Sequence, residues 1–388
     1  MQERLITIKL RELENFFPVI GLRGPRQSGK TTVLKMAFPD YEYINLESPD
    51  TRRLAQEDPR ALIESGRKKI FFDEVQNVPD LFSYIQSYGD TGDYKFIVSG
   101  SQNFVLNEKI SQSLAGRIGL LTLFPFSLQE IHGTYHYSGI LDLILKGFYP
   151  RIYDKNIPAE IYHDNYISTY VERDVMALRA VQDRRAFMQF LKMCAHRAGS
   201  VLNLKNMAED IGKSENTLKD WLSILESSYI VHLLKPFEKN YNKRISKSPK
   251  LYFYDTGLLC NLIGLKNTDE LEFYRGWGGI FENFVINEFV KNVYNKGNKE
   301  NFYYWKNQEE KEIDLIIDSI SGPIPIEIKA GITYSKDYFK NLEYFRKIAD
   351  DAKRGTVIYR GTENLDLEYH NLRSWDNLVN PESIIKSV

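Results

Sequence analysis

Short apolar runs and amphipathic helical patterns alternate along the first third of the chain. Between about residues 17 and 130, four apolar runs are separated by segments whose apolar residues recur at helical spacing. This alternation is typical of a parallel sheet that is covered by helices on both faces. The predicted strands are 18–22, 43–46, 69–72 and 95–98.

The pattern changes further along the chain. Residues 140–200 are mainly helical, and 201–237 predict two helices and a turn before an apolar run. From residue 276 the order becomes a helix, three strands, a second helix and a strand. We therefore predict that an α/β segment is followed by helical segments and by an α+β domain.

Length and composition restrict the class of protein. The chain has 388 residues, which is too long for one ordinary core, and its net charge of -1 gives no overall preference for nucleic acid. The two cysteines, Cys194 and Cys260, form no CxxC pair and fit a reducing compartment. The first residues resemble no signal peptide, and no apolar run approaches the length of a membrane span. We expect a cytoplasmic protein without a membrane partner.

One motif predicts a phosphate-binding loop. The sequence GPRQSGKT at 24–31 matches GxxxxGK[ST], follows the first predicted strand and precedes a helix. In such a loop Lys30 contacts the β- and γ-phosphates of a nucleotide, and the Thr31 hydroxyl binds Mg²⁺. We predict ATP and Mg²⁺ as the cofactors. The predicted nucleotide-binding residues are Gly24, Pro25, Arg26, Gln27, Ser28, Gly29, Lys30, Thr31 and Thr32.

Two acidic residues follow the third predicted strand. Asp73 would hold the magnesium shell, and Glu74 would orient and deprotonate the water that attacks the γ-phosphate. A pair of consecutive acids favours hydrolysis over transfer to a nucleoside. The simpler alternative is an acidic turn after a strand.

Two further candidates lie beyond the fourth strand. Ser101, or Ser99, would lie between the other strand ends and sense the γ-phosphate, with a helix cap as the alternative role. Arg117 would stabilise transition-state charge, either in its own subunit or towards a neighbouring one. An ordinary solvated arginine is the alternative for that position.

Together these segments resemble a prokaryotic family of AAA-type ATPases. The resemblance is carried by GPRQSGKTT, IFFDEVQNVPD, VSGSQNFVL, LAGRI, LFPFSLQEI, GFYPRIY, YVERDV, KLYFYDTGLL, GIFENFVINEF, EIDLII and IEIKAG, and so spans nearly the whole chain. It implies a P-loop ATPase core at 1–135, a helical lid at 136–200, a winged helix at 201–250 and a domain similar to restriction endonucleases at 251–388.

The predicted winged helix raises the question of DNA binding. Its second helix, which Ser214 would cap, carries Lys213 and Lys219 beside Glu215 and Asp220, so its charges nearly cancel. The segment 235–250 is more basic, with a net charge of +5 and therefore suited to phosphate contacts. Its basic residues are Lys235, Lys239, Lys243, Arg244, Lys247 and Lys250. Packing on the ATPase or on a partner protein is the alternative.

The C-terminal segment carries a candidate nuclease site. The three predicted strands are 301–306, 311–317 and 324–329, and strand alternation places Glu327 and Lys329 on one face. With Asp314 and the helical Glu282 they would hold one or two magnesium ions, Asp314 and Glu327 acting as ligands. The resemblance implies that these are catalytic positions. Cross-strand acid–lysine pairs without catalysis are the alternative.

Three functions are compatible with the sequence. We favour an ATP hydrolase whose nucleotide cycle controls DNA binding and metal-dependent DNA cleavage by the C-terminal half. The second hypothesis is a nucleotide-switched signalling or scaffold ATPase whose appended domains bind protein. A small-molecule kinase fits less well with the Asp73–Glu74 pair and the appended domains. The oligomeric state stays open.

Overall fold

The computed structural model describes residues 3–101, 113–175, 181–237 and 248–386. Its contacts divide the chain into two compact units. The first contains residues 1–125, 227–229 and 293–299, and the second contains 126–226, 230–292 and 300–388. Within the described ranges, no helix combines the length and apolar character needed to cross a bilayer.

A five-stranded parallel sheet forms the centre of the first unit, as predicted. Its strands are β1 (Val19–Arg23), β2 (Glu42–Asn45), β3 (Lys69–Asp73), β4 (Lys95–Gly100) and β5 (Ile118–Thr122). Their order in the sheet is β2-β3-β4-β1-β5, and every pair is parallel. Strand β5 is the one that the apolar runs did not predict.

Helices cover both faces of this sheet. They are α1 (Thr7–Glu14), α2 (Lys30–Ala37), α3 (Pro49–Glu57), α4 (Pro59–Glu64) and α5 (Leu81–Gly89). Alternate residues of β3 belong to different cores: Ile70 and Phe72 pack in one hydrophobic cluster, and Phe71 packs in the other. Since side chains of a strand alternate between faces, each face of the sheet has its own core.

Helices dominate the first half of the second unit. They are α6 (Leu128–Ile131), α7 (Ile140–Lys146), α8 (Pro150–Asp154), α9 (Ala159–Tyr166), a π-helix (Ile167–Val175), α10 (Arg184–His196), α11 (Leu204–Ile211) and α12 (Glu215–Ser227). Helices α11 and α12 form the predicted helix–turn–helix arrangement, and Gly212 ends the first of them with a φ of 71°. Whether this arrangement is a winged helix stays a prediction.

An eight-stranded mixed sheet organises the rest of the second unit. Its strands are β6 (Val231–Pro236), β7 (Lys250–Phe253), β8 (Phe302–Lys306), β9 (Glu312–Ile317), β10 (Ile324–Lys329), β11 (Gly355–Tyr359), β12 (Leu365–Asp366) and β13 (His370–Ser374). Their order is β12-β13-β11-β10-β9-β8-β6-β7, with the antiparallel meander β8-β9-β10 at the predicted position.

Strands β6 and β7 belong to the same sheet as this meander. They pair antiparallel with each other, and β6 also pairs parallel with β8. The helices of this part are α13 (Thr256–Ile263), α14 (Thr268–Phe273), α15 (Trp277–Asn295), α16 (Lys340–Ile348) and α17 (Pro381–Lys386). The predicted boundary after residue 250 falls inside β7, and the four-domain division stays a prediction.

Buried amides attach α15 to the end of β7. Asn283 accepts a hydrogen bond from the Phe253 N–H and donates one to its carbonyl, both at 2.7 Å. Asn287 donates to the same carbonyl at 2.7 Å. Because buried peptide groups need partners, these two asparagines fix the helix beside the strand.

Asp255 provides a test of how much such buried hydrogen bonds contribute to the free energy of unfolding. Its carboxylate is 1% exposed and accepts hydrogen bonds from Phe148 N at 2.7 Å and Leu258 N at 2.8 Å. Asp183 caps α10 through a similar bond to Ala186 N at 3.0 Å, but its side chain is 43% exposed. Asp255, the buried cap, thus accepts hydrogen bonds from two N–H groups that are shielded from water.

We expect Asp255→Ala to lower the free energy of unfolding by about 2–5 kcal/mol, because two buried N–H groups lose their acceptor. Asp183→Ala should cost about 1 kcal/mol, as an exposed helix cap does. Urea unfolding followed by tryptophan fluorescence measures both. The signal reports on the second unit, which contains Trp221, Trp277, Trp305 and Trp375. Equal losses in the two variants would contradict the assignment.

Candidate functional site

The predicted phosphate loop connects β1 to α2, and its backbone conformation requires glycine at its start. Gly24 has a φ of 148°, and a Cβ there would lie 2.1 Å from the Leu123 carbonyl oxygen. Gly29 has a φ of 96°, and Gln27 also has a positive φ, of 64°. The loop is therefore held in a conformation that ordinary side chains would disrupt.

Several polar groups of the loop are available to a phosphate. Helix α2 begins at Lys30 with no side-chain cap, so its first N–H groups face the loop without a capping acceptor. The Ser28 hydroxyl is fully buried and has no hydrogen-bond partner among the described residues. The Lys30 ammonium lies inside the loop, where it donates to Gly24 O at 3.0 Å and Pro25 O at 2.9 Å. These groups fit the triphosphate of a nucleotide.

Burial affects the charge of Lys30. It lowers the pKa of this lysine below its usual value, while the nearby carboxylates of Glu74 and Asp73 act in the opposite direction. A cation held in a poorly hydrated loop interacts strongly with anionic oxygens. Lys30 is therefore placed to neutralise phosphate charge.

The remaining loop residues lie at the rim. Arg26 pairs with Glu47 at 3.2 Å, and Thr32 is exposed in the first turn of α2. A residue that the sequence did not single out supports the loop from behind: Arg4 is buried and donates to Ser28 O at 2.9 Å and Phe124 O at 2.8 Å. It ties the loop to the segment after β5.

Asp73 ends β3 and receives three hydroxyl groups. Thr31 Oγ1 and Tyr43 Oη donate to Asp73 Oδ2 at 2.8 and 3.0 Å, and Ser99 Oγ donates to Asp73 Oδ1. The carboxylate is 4% exposed. The structure thus brings the two predicted magnesium residues, Thr31 and Asp73, into direct contact. Tyr43 was missed, because an aromatic residue in a predicted strand gives no signal of its own.

Glu74 adopts a left-handed backbone conformation with a φ of 54°. This conformation is uncommon for a residue other than glycine, and it turns the side chain out of the strand. Glu74 Oε2 accepts hydrogen bonds from Ser101 Oγ at 3.2 Å and from Gln76 Nε2. The two serines at the end of β4 therefore contact different acids: Ser99, the penultimate residue of the strand, contacts Asp73, and Ser101, just after it, contacts Glu74.

Arg117 lies at the amino-terminal ends of the parallel strands, whereas the phosphate loop lies at their carboxyl ends. It precedes β5, whose Ile118 pairs with Val19 at the start of β1, whereas the phosphate loop follows the end of β1. The intervening strand is about 16 Å long. Arg117 also forms an ion pair with Asp90 at 2.6 Å. Stabilisation of a phosphate in its own subunit is therefore excluded by the parallel register, and the prediction of that role is corrected.

The candidate nuclease residues do converge in the second unit. Lys329 Nζ lies 2.5 Å from Glu327 Oε2 and 3.9 Å from Asp314 Oδ2. Asp314 Oδ2 accepts a hydrogen bond from Ile328 N at 2.8 Å. Glu327 is 1% exposed, and its Oε1 atom has no hydrogen-bond partner among the described residues.

An unexpected lysine lies among the same acids. Lys250 Nζ is 2.8 Å from Glu282 Oε1, pairs with Glu312 and lies 3.8 Å from Asp314 Oδ1. Sequence reasoning counted Lys250 as a basic residue available to DNA. That interpretation is wrong, because its side chain is 2% exposed and engaged with carboxylates.

Protonation equilibria in this cluster follow from burial and charge. Burial raises the pKa of Glu282 to about 7, and burial together with the Asp314 charge raises that of Glu327 well above its ordinary value. Burial acts to lower the pKa of Lys250, but Glu282, Asp314 and Glu312 outweigh it and hold the pKa well above its usual range. Lys250 therefore keeps its charge at neutral pH.

The cluster does not fit the metal cage that the sequence suggested. Across the described ranges, no group of three or more histidine, cysteine, aspartate or glutamate residues is arranged to hold a metal ion. Lys250 and Lys329 instead place two ammonium groups 3.8 and 3.9 Å from the Asp314 carboxylate, and their positive charges would repel a cation.

The predicted DNA-binding helix has its positive charges paired. Lys213 contacts Asp183 at 2.7 Å, and Lys219 contacts Glu215 at 2.7 Å. In the basic segment Lys235 is exposed on β6. Lys239, Lys243, Arg244 and Lys247 lie outside the described residues.

Family comparisons divide the chain into three parts. Residues 17–132 match an AAA domain. Residues 138–269 and 277–376 match two domains of unknown function, DUF8612 and DUF4143. The AAA domain covers the parallel sheet, the phosphate loop and the Asp73–Glu74 pair.

Two solved structures are distantly similar to the chain. The Walker-type ATPase PABY2304 of Pyrococcus abyssi is 13% identical with a TM-score of 0.40, covering 66% of this chain and 94% of that one. The Aeropyrum pernix ORC1 protein, solved in complex with DNA, is 13% identical with a TM-score of 0.32, covering 63% and 88%. Both scores are low, so the fold assignment rests on the strand order of this chain.

Sequence relatives are closer. Uncharacterised proteins of Mycobacterium tuberculosis (Rv2008c) and Mycobacterium bovis (Mb2031c) are each 30% identical over 342 residues, which cover 86% of this chain and 75% of theirs. An uncharacterised protein of Methanocaldococcus jannaschii (MJ1544) is 24% identical and covers 80% of this chain and 74% of its own. The chain belongs with the two mycobacterial proteins to one family of AAA-domain proteins.

Proposed function

We propose that the chain hydrolyses ATP with Mg²⁺ at the phosphate loop, and that this cycle controls DNA binding by the second unit. The observation that carries the proposal is the contact between Thr31 and Asp73 at 2.8 Å, with Glu74 as the next residue. A contact of this kind is expected between a magnesium-binding hydroxyl and its supporting carboxylate, and Glu74 beside them is the candidate base.

Each residue has a defined task in this proposal. Bound Mg²⁺ would neutralise charge that develops on the phosphate oxygens. Lys30 and the N–H groups of the loop bind and orient the triphosphate, and Thr31 and Asp73 hold the metal shell. Glu74 takes a proton from water, and Ser101, which donates to Glu74 at 3.2 Å, orients its carboxylate and senses the γ-phosphate. Arg117 acts only towards a neighbouring subunit, if the chain forms an oligomer.

Glu74→Gln tests the assignment of the base. We expect kcat for ATP hydrolysis to fall by about 10²–10⁴-fold, because the amide cannot accept the proton, while KM for ATP changes little. Lys30→Ala should instead abolish ATP binding, measured by calorimetry. Asp80→Asn is the matched control, since Asp80 is an exposed acid six residues further on whose side chain caps no helix. A Glu74→Gln chain with normal kcat would refute the hydrolytic site.

The proposal for DNA rests on local charge. Without Lys250, the segment 235–247 retains five basic residues against Glu238, a net charge of +4. Lys213 and Lys219 of the helix–turn–helix contribute less, since Asp183 and Glu215 pair with them. The alternative is that this unit binds a protein, with nucleotide state as the switch.

Salt dependence separates the two hypotheses. We expect duplex DNA to bind with a log–log salt slope of about -3 to -4, as four released counterions would give. Changing Lys239, Lys243, Arg244 and Lys247 together to alanine should flatten that slope. The control Lys213→Ala with Lys219→Ala should change it little. Fluorescence anisotropy between low and moderate salt measures the slope, and ATPase assays with and without DNA test the coupling. Absence of salt-dependent binding would favour the protein-binding alternative.

A further inference from the structure

We propose that Lys250 is the resident cation of the carboxylate cluster in the second unit, where its ammonium group takes the place of a divalent metal ion. The cluster consists of Glu282, Glu312, Asp314 and Glu327 with Lys250 and Lys329. It is then an ion-pair joint between β7, β9, β10 and α15 and not a metal site.

Three carboxylates surround one ammonium group. Glu282 from α15 lies 2.8 Å from Lys250 Nζ, Glu312 from β9 pairs with it, and Asp314 from β9 lies 3.8 Å away. Acids on a helix and on a neighbouring strand thus converge on a single charge. This is the arrangement expected around a bound cation, and the lysine supplies that cation from within the chain.

The backbone holds Lys250 in this position. Lys250 pairs with Leu234 in the β6–β7 ladder and also forms an isolated bridge with Val201. Its Nζ lies 5.7 Å from the centre of the Tyr304 ring, and Tyr252 Oη donates to Glu282 Oε1 at 2.5 Å. The side chain is 2% exposed, so it is enclosed together with these carboxylates.

Asp314 is engaged on both oxygens. Its Oδ1 faces Lys250, while its Oδ2 accepts the Ile328 N–H at 2.8 Å and lies 3.9 Å from Lys329 Nζ. Mg²⁺ requires near-octahedral oxygen ligands at about 2.0–2.1 Å. An ion bound to Asp314 would meet one ammonium group on each side, so its repulsion from them opposes binding.

The wild-type chain provides the first test. We would titrate the nucleotide-free protein with Mn²⁺, follow free Mn²⁺ by electron paramagnetic resonance and compare Asp314→Asn. The proposal expects no bound Mn²⁺, or binding that Asp314→Asn leaves unchanged because it occurs elsewhere. Mn²⁺ binding that Asp314→Asn abolishes would overturn it.

Removing the lysine provides the second test. In the wild-type chain Glu282, Glu312 and Asp314 are turned towards Lys250 and are not arranged to hold a metal ion. Lys250→Ala frees them to reorient around an added ion, so its melting temperature should fall in EDTA and recover substantially in Mn²⁺. Lys291→Ala is the matched control: Lys291 is also 2% exposed, and within the described residues its ion pair is with Glu288 alone, at 2.9 Å. One carboxylate cannot form a metal cage, so Mn²⁺ should not restore that variant.

The responses of the two variants to Mn²⁺ distinguish support for the proposal from its contradiction. Recovery in Mn²⁺ confined to Lys250→Ala supports the proposal, and a folded Lys250→Ala chain that Mn²⁺ leaves unchanged contradicts it. If Lys250→Ala does not fold, the wild-type titration decides. Both readouts use nucleotide-free protein, so failure of the ATPase proposal would not affect them.

Discussion

The carboxylate of Asp73 is the constraint on which the nucleotide site depends. A carboxylate that is 4% exposed must be matched by donors, and here they come from three other segments of the chain. Thr31 belongs to α2, Tyr43 to β2 and Ser99 to β4. The strand order makes these contacts possible, because β3 lies between β2 and β4 and the loop follows the next strand, β1. The geometry of the site therefore depends on the order of the strands in the sheet.

Much of this sheet could be predicted from the sequence, and the strand that was missed shows the limit. Strand β5 contains Gly119 within a short apolar run, and such runs do not distinguish strand from helix. In the structure, a Cβ at this position would lie 3.0–3.2 Å from Phe17 and Leu13. The glycine therefore permits close packing of the strand against the end of α1 and the turn after it. Gly119 is required by this tertiary contact, which the local sequence pattern does not reveal.

The site residues, too, could be predicted where a local motif marks them, but not where their role depends on residues distant in the sequence. The motif at 24–31 and the Asp73–Glu74 pair were found because they follow predicted strands. Arg117 and Lys250 were misjudged because their roles depend on position in three dimensions. The register of β5 against β1 places Arg117 at the end of the strands that is opposite to the phosphate loop of the same subunit. The neighbours of Lys250 in space, Glu282 and Asp314, are 32 and 64 residues away in the chain. A count of local charge could not reveal them.

The two acidic clusters differ in the charge of their partners. The hydrogen-bond donors to Asp73 and Glu74 are hydroxyl and amide groups, and neutral donors leave the negative charge of a carboxylate largely intact. The Lys30 ammonium also lies nearby, but it is held inside the phosphate loop. The carboxylate charge remains available to a metal ion. Ammonium groups surround Glu282, Asp314 and Glu327, and they cancel the charge that would attract a metal. Clusters of similar composition therefore fit the two different roles proposed for them: the first a magnesium site beside a triphosphate, the second a joint between strands and a helix.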